Sequence, residues 1–335
     1  MLTGKKYMKT AFHKSIDSIK KNIRFRIAKF LAVNHLEVEN LNNPFFIIAT
    51  PGNLHVTRLC LKYIPSDQEV VIVLNGLERW ETKWAKENFY SRKLILFPIR
   101  VSHDQVIDYL LDWMDSSFGI LDDDCFVFSP SLFSMIRSIT SQISFCSCYG
   151  FESYKHSMVF PETFFLYLNA PLLKKIKKEF GVGALTTTWD QLPDKVKEKI
   201  SEFGFSKDKL PEDYKGFFDT LRVLMVLSLA QDYPFRFIND KYINYLKDES
   251  KNVFHVGAVT VVPFLGISTV SKSRTRGSYF WYRALEQCPD TKIKLKYYRQ
   301  YGYSSSNQVL LKFPNAKERI GNYFFESVEE VISET

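Results

Sequence analysis

Apolar and polar positions alternate in blocks along the first third of the chain. Pro44 to Ala49 (PFFIIA) predicts a buried strand, closed by the turn residues Thr50-Pro51-Gly52-Asn53, with a helix following through Leu54–Tyr63. Glu69–Leu74 (EVVIVL) and Lys93–Ile99 (KLILFPI) predict two more strands, the first ended by Asn75-Gly76. Residues 104–115 place apolar side chains at 106, 107, 110, 111 and 114, the spacing of one helix face. Phe118–Leu121 predicts a fourth strand, which runs straight into three carboxylates, Asp122-Asp123-Asp124, before Cys125–Phe128 turns apolar again. Strands alternating with helices in this rhythm predict an α/β fold with a mostly parallel sheet flanked by helices. Ligands of such sheets sit beyond the carboxyl ends of the strands. Thr50, Asn75, Arg100 and Asp122 all fall there.

The pattern then becomes mixed. Ile143–Tyr149 and Phe164–Leu168 predict strands, and Pro171–Phe180 predicts a basic helix. Residues 181–216 show no strong period beyond a short helix near 194–203, as expected of an insertion or acceptor loop. Residues 219–231 predict a helix with Asp219 at its start, and 235–238 and 253–262 read as further strands. The expected division is a basic amphipathic segment over 1–40, a main domain over 41–265 with halves 41–130 and 131–265, and a basic, aromatic C-terminal extension over 266–335.

Composition sharpens this in two ways. A 45% apolar content supports a large core and excludes wholesale disorder. The net charge of +8 is local: Lys5, Lys6, Lys9, Lys14, Lys20, Lys21, Arg24, Arg26 and Lys29 stand against Asp17 alone in residues 1–30, so the rest of the chain sums to zero. Ile16, Ile19, Ile23, Ile27 and Phe30 recur there at spacings of three and four, one face of an amphipathic helix. Such a helix suits an anionic membrane surface, or its apolar face packs on the protein. No basic-aromatic interleaving continues into the body, so nucleic acid is not an expected partner. The five cysteines are scattered, as for buried free thiols in a reducing compartment. No apolar run of about 18 residues and no signal-peptide pattern appears, so the expected location is cytoplasmic, and peripheral on the inner membrane if the first helix binds it rather than packing on the protein.

Adjacent carboxylates at a strand end offer oxygen ligands to a hard cation, Mn2+ or Mg2+, which commonly shares its shell with phosphates. The apolar run followed by Asp122-Asp123-Asp124 resembles the DxD signature of GT-A-fold glycosyltransferases, which use nucleotide-diphosphate sugars. That resemblance covers roughly residues 44–262 and implies a GT-A-like, Rossmann-type sheet, with 41–265 as a catalytic domain whose nucleotide-binding half is 41–130 and acceptor half 131–265. It implies Asp122 and Asp124 as metal ligands, with His255 of His255-Val256-Gly257 as the late ligand. It further implies nucleotide-sugar contacts from Thr50, Pro51, Asn75, Arg100, Asp122 and Asp123, with Thr50 and Pro51 against base and ribose and Asn75 reading the base. Lys272, Arg274 and Arg276 alternate with small residues and would clamp the diphosphate as it leaves. Asp219 would be the base on the acceptor hydroxyl of an inverting transfer, with Asp190 as the second candidate. The acidic neighbour usual beside this base is replaced by Phe218.

The expected activity is therefore metal-dependent transfer of a sugar from a nucleotide-diphosphate donor, UDP-sugar favoured, to a glycan or lipid-linked acceptor in bacterial surface polysaccharide or lipopolysaccharide assembly. Two alternatives stay open at this point. A sugar nucleotidyltransferase would need a Gly-rich basic loop after the first strand, where Thr50–His55 stands. A non-catalytic, membrane-recruited binding protein on a transferase scaffold would lack donor hydrolysis.

Overall fold

The computed structural model describes residues 23–34, 41, 43–152, 158–207, 217–238, 252–257, 259–265, 275–312, 318 and 321–333. A helix over 23–31 (α1) leads into β1 (Val33–Asn34), β2 (Phe45–Ala49), α2 (Leu54–Lys62), β3 (Val70–Asn75), α3 (Arg79–Asn88), β4 (Lys93–Phe97), α4 (His103–Trp113) and β5 (Phe118–Leu121). Next come β6 (Cys125–Val127), α5 (Ser131–Ile136), β7 (Phe145–Ser147), β8 (Gly150–Glu152), β9 (Val159–Pro161), β10 (Phe165–Leu168), α6 (Ala170–Phe180), β11 (Thr187–Thr188) and α7 (Asp194–Glu202). The chain continues through β12 (Phe217–Phe218), α8 (Arg222–Leu229), β13 (Phe235–Phe237), β14 (Val253–His255) and α9 (Val262–Leu265). Among the described residues α10 (Thr275–Glu286), α11 (Thr291–Tyr301), α12 (Ser306–Lys312) and α13 (Asn322–Ser333) follow.

The central sheet has the order β1-β4-β3-β2-β5-β10-β7-β13. Its middle, β4-β3-β2-β5, is parallel throughout, while β10 runs antiparallel to β5 and β7. The chain steps outward from β2 through β3 to β4, then returns to the other side of β2 as β5. That reversal puts a crevice between the carboxyl ends of β2 and β5, where open α/β sheets bind their ligands.

Both faces of the sheet are covered, which explains the unbroken apolar runs. Phe45, Ile47, Ala49, Val70, Ile72 and Leu74 face a core closed by α2, α3 and the C-terminal helices. Phe46, Ile48, Val71 and Val73 face a second core with α4, α6, α7 and α8. Side chains change face at every step along these strands, as the pleat requires. Gly119 of β5 leaves the space that the Phe45 ring fills: a Cβ there would lie 2.2 Å from that ring. The extension from Thr275 onward contributes Tyr279, Trp281, Tyr297 and Val328 to the same core as β2.

Several elements depart from the pattern-based expectation. Helix α3 has a mostly polar sequence and was not expected; Glu78 and Glu81 form its capping box and Trp84 and Ala85 its buried face. Helix α8 starts at Arg222, three residues late, because Leu221 adopts φ +64°, outside the helical region. The strand expected over 253–262 stops at His255; Gly257 (φ +75°) turns the chain, and a short helical stretch follows. On α1 the inward residues are Phe25 and Ala28, whereas Ile23, Ile27 and Phe30 of the expected apolar face are exposed, Phe30 at 89%. Ile16 and Ile19 lie outside the described residues. Lys29 fastens the helix through Asp112, at 2.9 Å.

Candidate active site

Asp122 begins where β5 ends. Its N–H donates to Phe164 O (2.9 Å) and its carbonyl accepts from Cys125 N (3.1 Å), so Asp122–Cys125 is a tight turn out of the sheet. The chain then enters β6, which pairs antiparallel with β14 in the register His255↔Cys125. This short ribbon carries a residue from far along the sequence to the acidic turn. Val256 N donates to Asp124 O (3.1 Å), which ties the two segments together just beyond the ribbon.

The outcome is a cluster in which Asp122, Asp124 and His255 each offer a ligand atom, all within 4.8 Å of one another. His255 Nε2 lies 3.4 Å from Asp124 Oδ1 and 3.8 Å from Asp122 Oδ2. Its ring stacks on Phe164 at 4.2 Å and 20°, which holds the imidazole plane. Two carboxylate oxygens and one imidazole nitrogen form a hard-to-borderline donor set that fits a divalent cation such as Mn2+ or Mg2+.

A residue that sequence reasoning missed faces this cluster. His103 opens α4 and places Nε2 3.4 Å from Asp122 Oδ1, so Asp122 stands between two imidazoles. The available signal was Ser102-His103-Asp104 directly after the third predicted strand, at the binding edge of the sheet. Periodicity marked only the apolar face of that helix. Burial works against the charge of both histidines, but the neighbouring carboxylates outweigh it and hold both pKa values above the ordinary one. For Asp122, burial opposes ionisation, and the hydrogen bond and charge of His103 with the charge of His255 outweigh it, holding the carboxyl below its usual range. Asp123 turns toward α2, accepting from Thr57 Oγ1 at 3.2 Å; burial and then the charges of Asp124 and Asp122 push it well up.

A cleft of about 750 Å³ opens over the cluster, lined by Asp122, Asp123, Asp124 and His255 with Thr50, Asn75, Arg100, His103 and Arg24. Carboxylates and the two arginines Arg24 and Arg100 thus share the lining, a charge mix able to hold both a cation and phosphate oxygens. Thr50 Oγ1 accepts from Asn53 Nδ2 (2.9 Å), which fixes the loop after β2. Asn75 is engaged on both sides of its amide by Val101: Nδ2 donates to Val101 O (2.9 Å) and Oδ1 accepts from Val101 N (3.0 Å). It holds the loop between β4 and α4 against the end of β3. Gly76 permits that approach, since a Cβ would lie 2.2 Å from the Arg100 nitrogen. Arg24 was not anticipated as a cleft residue.

Other expected site residues lie elsewhere. Pro51 is buried in the turn behind Thr50 and does not line the cleft. Asp190 is exposed and paired with Lys207 at 2.8 Å. Asp219 follows β12 at the edge of the second core, accepts from Thr220 N (2.8 Å), and its charge reaches His103. Arg276 lies in α10 rather than in a loop, with its guanidinium 4.6 Å from the centre of the Phe324 ring and outside the cleft lining. Lys272 and Arg274 fall outside the described residues.

Comparison with known proteins gives a partial match to a family model. Residues 20–173 match the model described as the StrH glycosyltransferase N-terminal domain. A stretch of 84 residues is 29% identical to dTDP-dihydrostreptose–streptidine-6-phosphate dihydrostreptosyltransferase of Streptomyces griseus, covering 25% of this chain and 22% of that protein. Among solved structures, the WbbM bifunctional glycosyltransferase aligns at TM-score 0.43 and 9% identity, covering 81% of this chain and 53% of that one. The mannosyltransferase of Pyrobaculum calidifontis, solved with GDP-Man and Mn2+, aligns at TM-score 0.35 and 10% identity over 97% and 84% of the two chains. The stretch that holds Thr50, Asn75, Arg100 and the Asp122–Asp124 motif is therefore similar in sequence to the N-terminal domain of StrH glycosyltransferases.

Proposed function

We propose that this protein is a metal-dependent glycosyltransferase that takes a sugar from a nucleoside-diphosphate sugar and passes it to a hydroxyl of a glycan or lipid-linked acceptor. One observation carries the reading: Asp122, Asp124 and His255 converge at the sheet's crossover crevice, in a cleft shared with Arg24 and Arg100. A bound Mn2+ or Mg2+ would supply Lewis-acid stabilisation of the departing diphosphate. Asp122, Asp124 and His255 would hold it. The remaining work falls to the chain itself. Thr50 and the Asn75-braced loop would seat the nucleoside, Arg24 and Arg100 would meet phosphate oxygens, and His103 would orient Asp122. Asp219 would take the proton of the acceptor hydroxyl as its oxygen bonds to the sugar carbon. The bond from that carbon to the diphosphate oxygen would break, its electron pair leaving with the nucleoside diphosphate.

The dTDP-sugar named for the Streptomyces relative makes dTDP a candidate beside UDP and GDP. Calorimetric titration of the three diphosphates, with and without Mn2+, tests the reading. Metal-dependent binding of one of them is the expected result; no binding of any, with metal present, overturns it.

Helix α1 supports a membrane-bound acceptor. Ile23, Ile27, Phe30 and Leu31 are exposed on it, and the first thirty residues hold nine cations against one anion. Each cation near an anionic surface is worth on the order of 1 kcal/mol. Among the described residues no helix is long and apolar enough to cross a membrane. Peripheral attachment to an anionic bilayer, with a role in bacterial surface polysaccharide or lipopolysaccharide assembly, fits these features best.

A further inference from the structure

The loop that follows β2 is gripped from behind by the C-terminal helices. Trp281 of α10 donates through Nε1 to both Gly52 O and Asn53 Oδ1, each at 3.0 Å. Tyr297 of α11 accepts from Leu54 N at 3.2 Å and donates to Glu81 Oε1 at 2.8 Å. The same Glu81 oxygen accepts from Gly52 N at 2.7 Å. Glu81, Asn53, Trp281 and Tyr297 are all fully buried. Gly52 and Asn53 of the loop and Leu54, the first residue of α2, are therefore held by side chains that contribute nothing to the cleft wall.

The loop in turn reaches the site at two points. Asn53 Nδ2 donates to Thr50 Oγ1 in the cleft, and Thr57, one turn into α2, donates to Asn53 O (3.2 Å) and to Asp123 Oδ2 (3.2 Å). Gly52 adopts φ +84° and packs so closely that a Cβ would lie 2.5 Å from Pro263. A buried network of this kind is rigid when every member is satisfied and loosens when one donor is lost.

From this geometry we infer that Trp281, Tyr297 and Glu81 are positioning residues for donor binding, which makes the C-terminal helices part of the nucleotide site. The inference rests on the cleft being a nucleoside-diphosphate site. It requires that these residues act on binding through the placement of Thr50 and Asn53, without touching the ligand.

The test uses the full chain with Trp281→Phe, which removes the indole N–H and leaves a smaller aromatic ring, and Tyr297→Phe, which removes only the hydroxyl. Trp84→Phe is the control. Its indole also joins α3 to the C-terminal helices, through Asp290 Oδ2 at 2.7 Å, but it does not touch the loop. Two readouts are taken: calorimetric Kd for UDP, GDP and dTDP with Mn2+, and hydrogen exchange over residues 50–57. Each loop variant loses its two hydrogen bonds to the network, which should weaken binding about fivefold to tenfold and speed exchange by a similar factor. Trp84→Phe should lower Tm while leaving both readouts at the wild-type value. Unchanged exchange in the loop variants, or an equal change in the control, overturns the inference whether or not any nucleotide binds. Wild type that binds none of the three, with exchange responding as expected, would instead sink the nucleotide reading and leave the clamp standing as a structural device.

Discussion

His255 Nε2 lies 3.4 Å from Asp124 Oδ1, and a ribbon of only three residue pairs, β6 with β14, brings the two together. The ribbon lies outside the central sheet; besides contributing Phe126 and Phe254 to the core, it delivers the imidazole to the acidic turn. Removing a ligand should cost more than disturbing its outer partners, which typically costs about 10–100-fold. Asp124→Asn and His255→Ala should therefore each weaken Mn2+-dependent nucleotide binding by at least about 100-fold. The metal-independent part should change little. Calorimetry with and without Mn2+ measures both, and equal losses in the two conditions would contradict the ligand assignment.

Asp219 and Asp190 separate cleanly in kinetics. A general base contributes about 10²–10⁴-fold to rate. Asp219→Asn should lower turnover by that factor, followed as donor transfer or slow donor hydrolysis, while nucleotide Kd stays within about twofold. Asp190→Asn, which breaks only the exposed pair with Lys207, should leave the rate unchanged. A fully active Asp219→Asn enzyme would remove Asp219 from the mechanism.

Buried His55 makes stability pH-dependent. Burial lowers its pKa to about 3, partly opposed by the hydrogen bond that its Nε2 donates to Trp281 O. A histidine with a folded pKa below its unfolded one contributes stability above the unfolded value, near 6.5, and loses it as pH falls toward 3. The loss is on the order of 1 kcal/mol per pH unit across that window. Urea unfolding from pH 7 to pH 4 should show this slope in wild type and a shallower one in His55→Gln, whose side chain does not titrate. Parallel slopes would mean that the ring is not buried in its neutral form.

Attachment to a bilayer, if it follows the exposed strip of α1, should respond to both salt and apolarity. Ile27→Asp with Phe30→Asp should abolish co-sedimentation with phosphatidylserine vesicles at low ionic strength while leaving nucleotide affinity near the wild-type value. Wild-type binding should fall as salt shortens the screening length to about 8 Å or less. Sedimentation that survives the double substitution would place the contact elsewhere.

Much of the nucleotide-binding half was readable from residue order alone. Strands buried on both faces are written as continuous apolar runs, so β2, β3, β4 and β5 stood out, as did the carboxylates at the end of β5. Helix α3 escaped because only Trp84, Ala85 and Glu81 of its surface are buried, too few to make a period. The C-terminal helices α10 and α11 escaped for a different reason. Their aromatic and basic residues read as an extension with no assigned element, yet Trp281, Tyr282 and Tyr297 are core residues because α2 and α3 offer them a face to pack on.

The sequence by itself determined the parallel centre of the sheet, the position of Asp122–Asp124 at its ligand-binding edge and the basic character of the first segment. These follow from local periodicity and from charge, which do not depend on what the chain meets later. Tertiary structure alone decided that His103 and His255 flank Asp122, that Arg24 enters the cleft, and that Trp281 and Tyr297 hold the loop behind Thr50. Each of those is a contact between residues far apart in the chain. Its partner is chosen by packing and strand register rather than by any neighbouring residue.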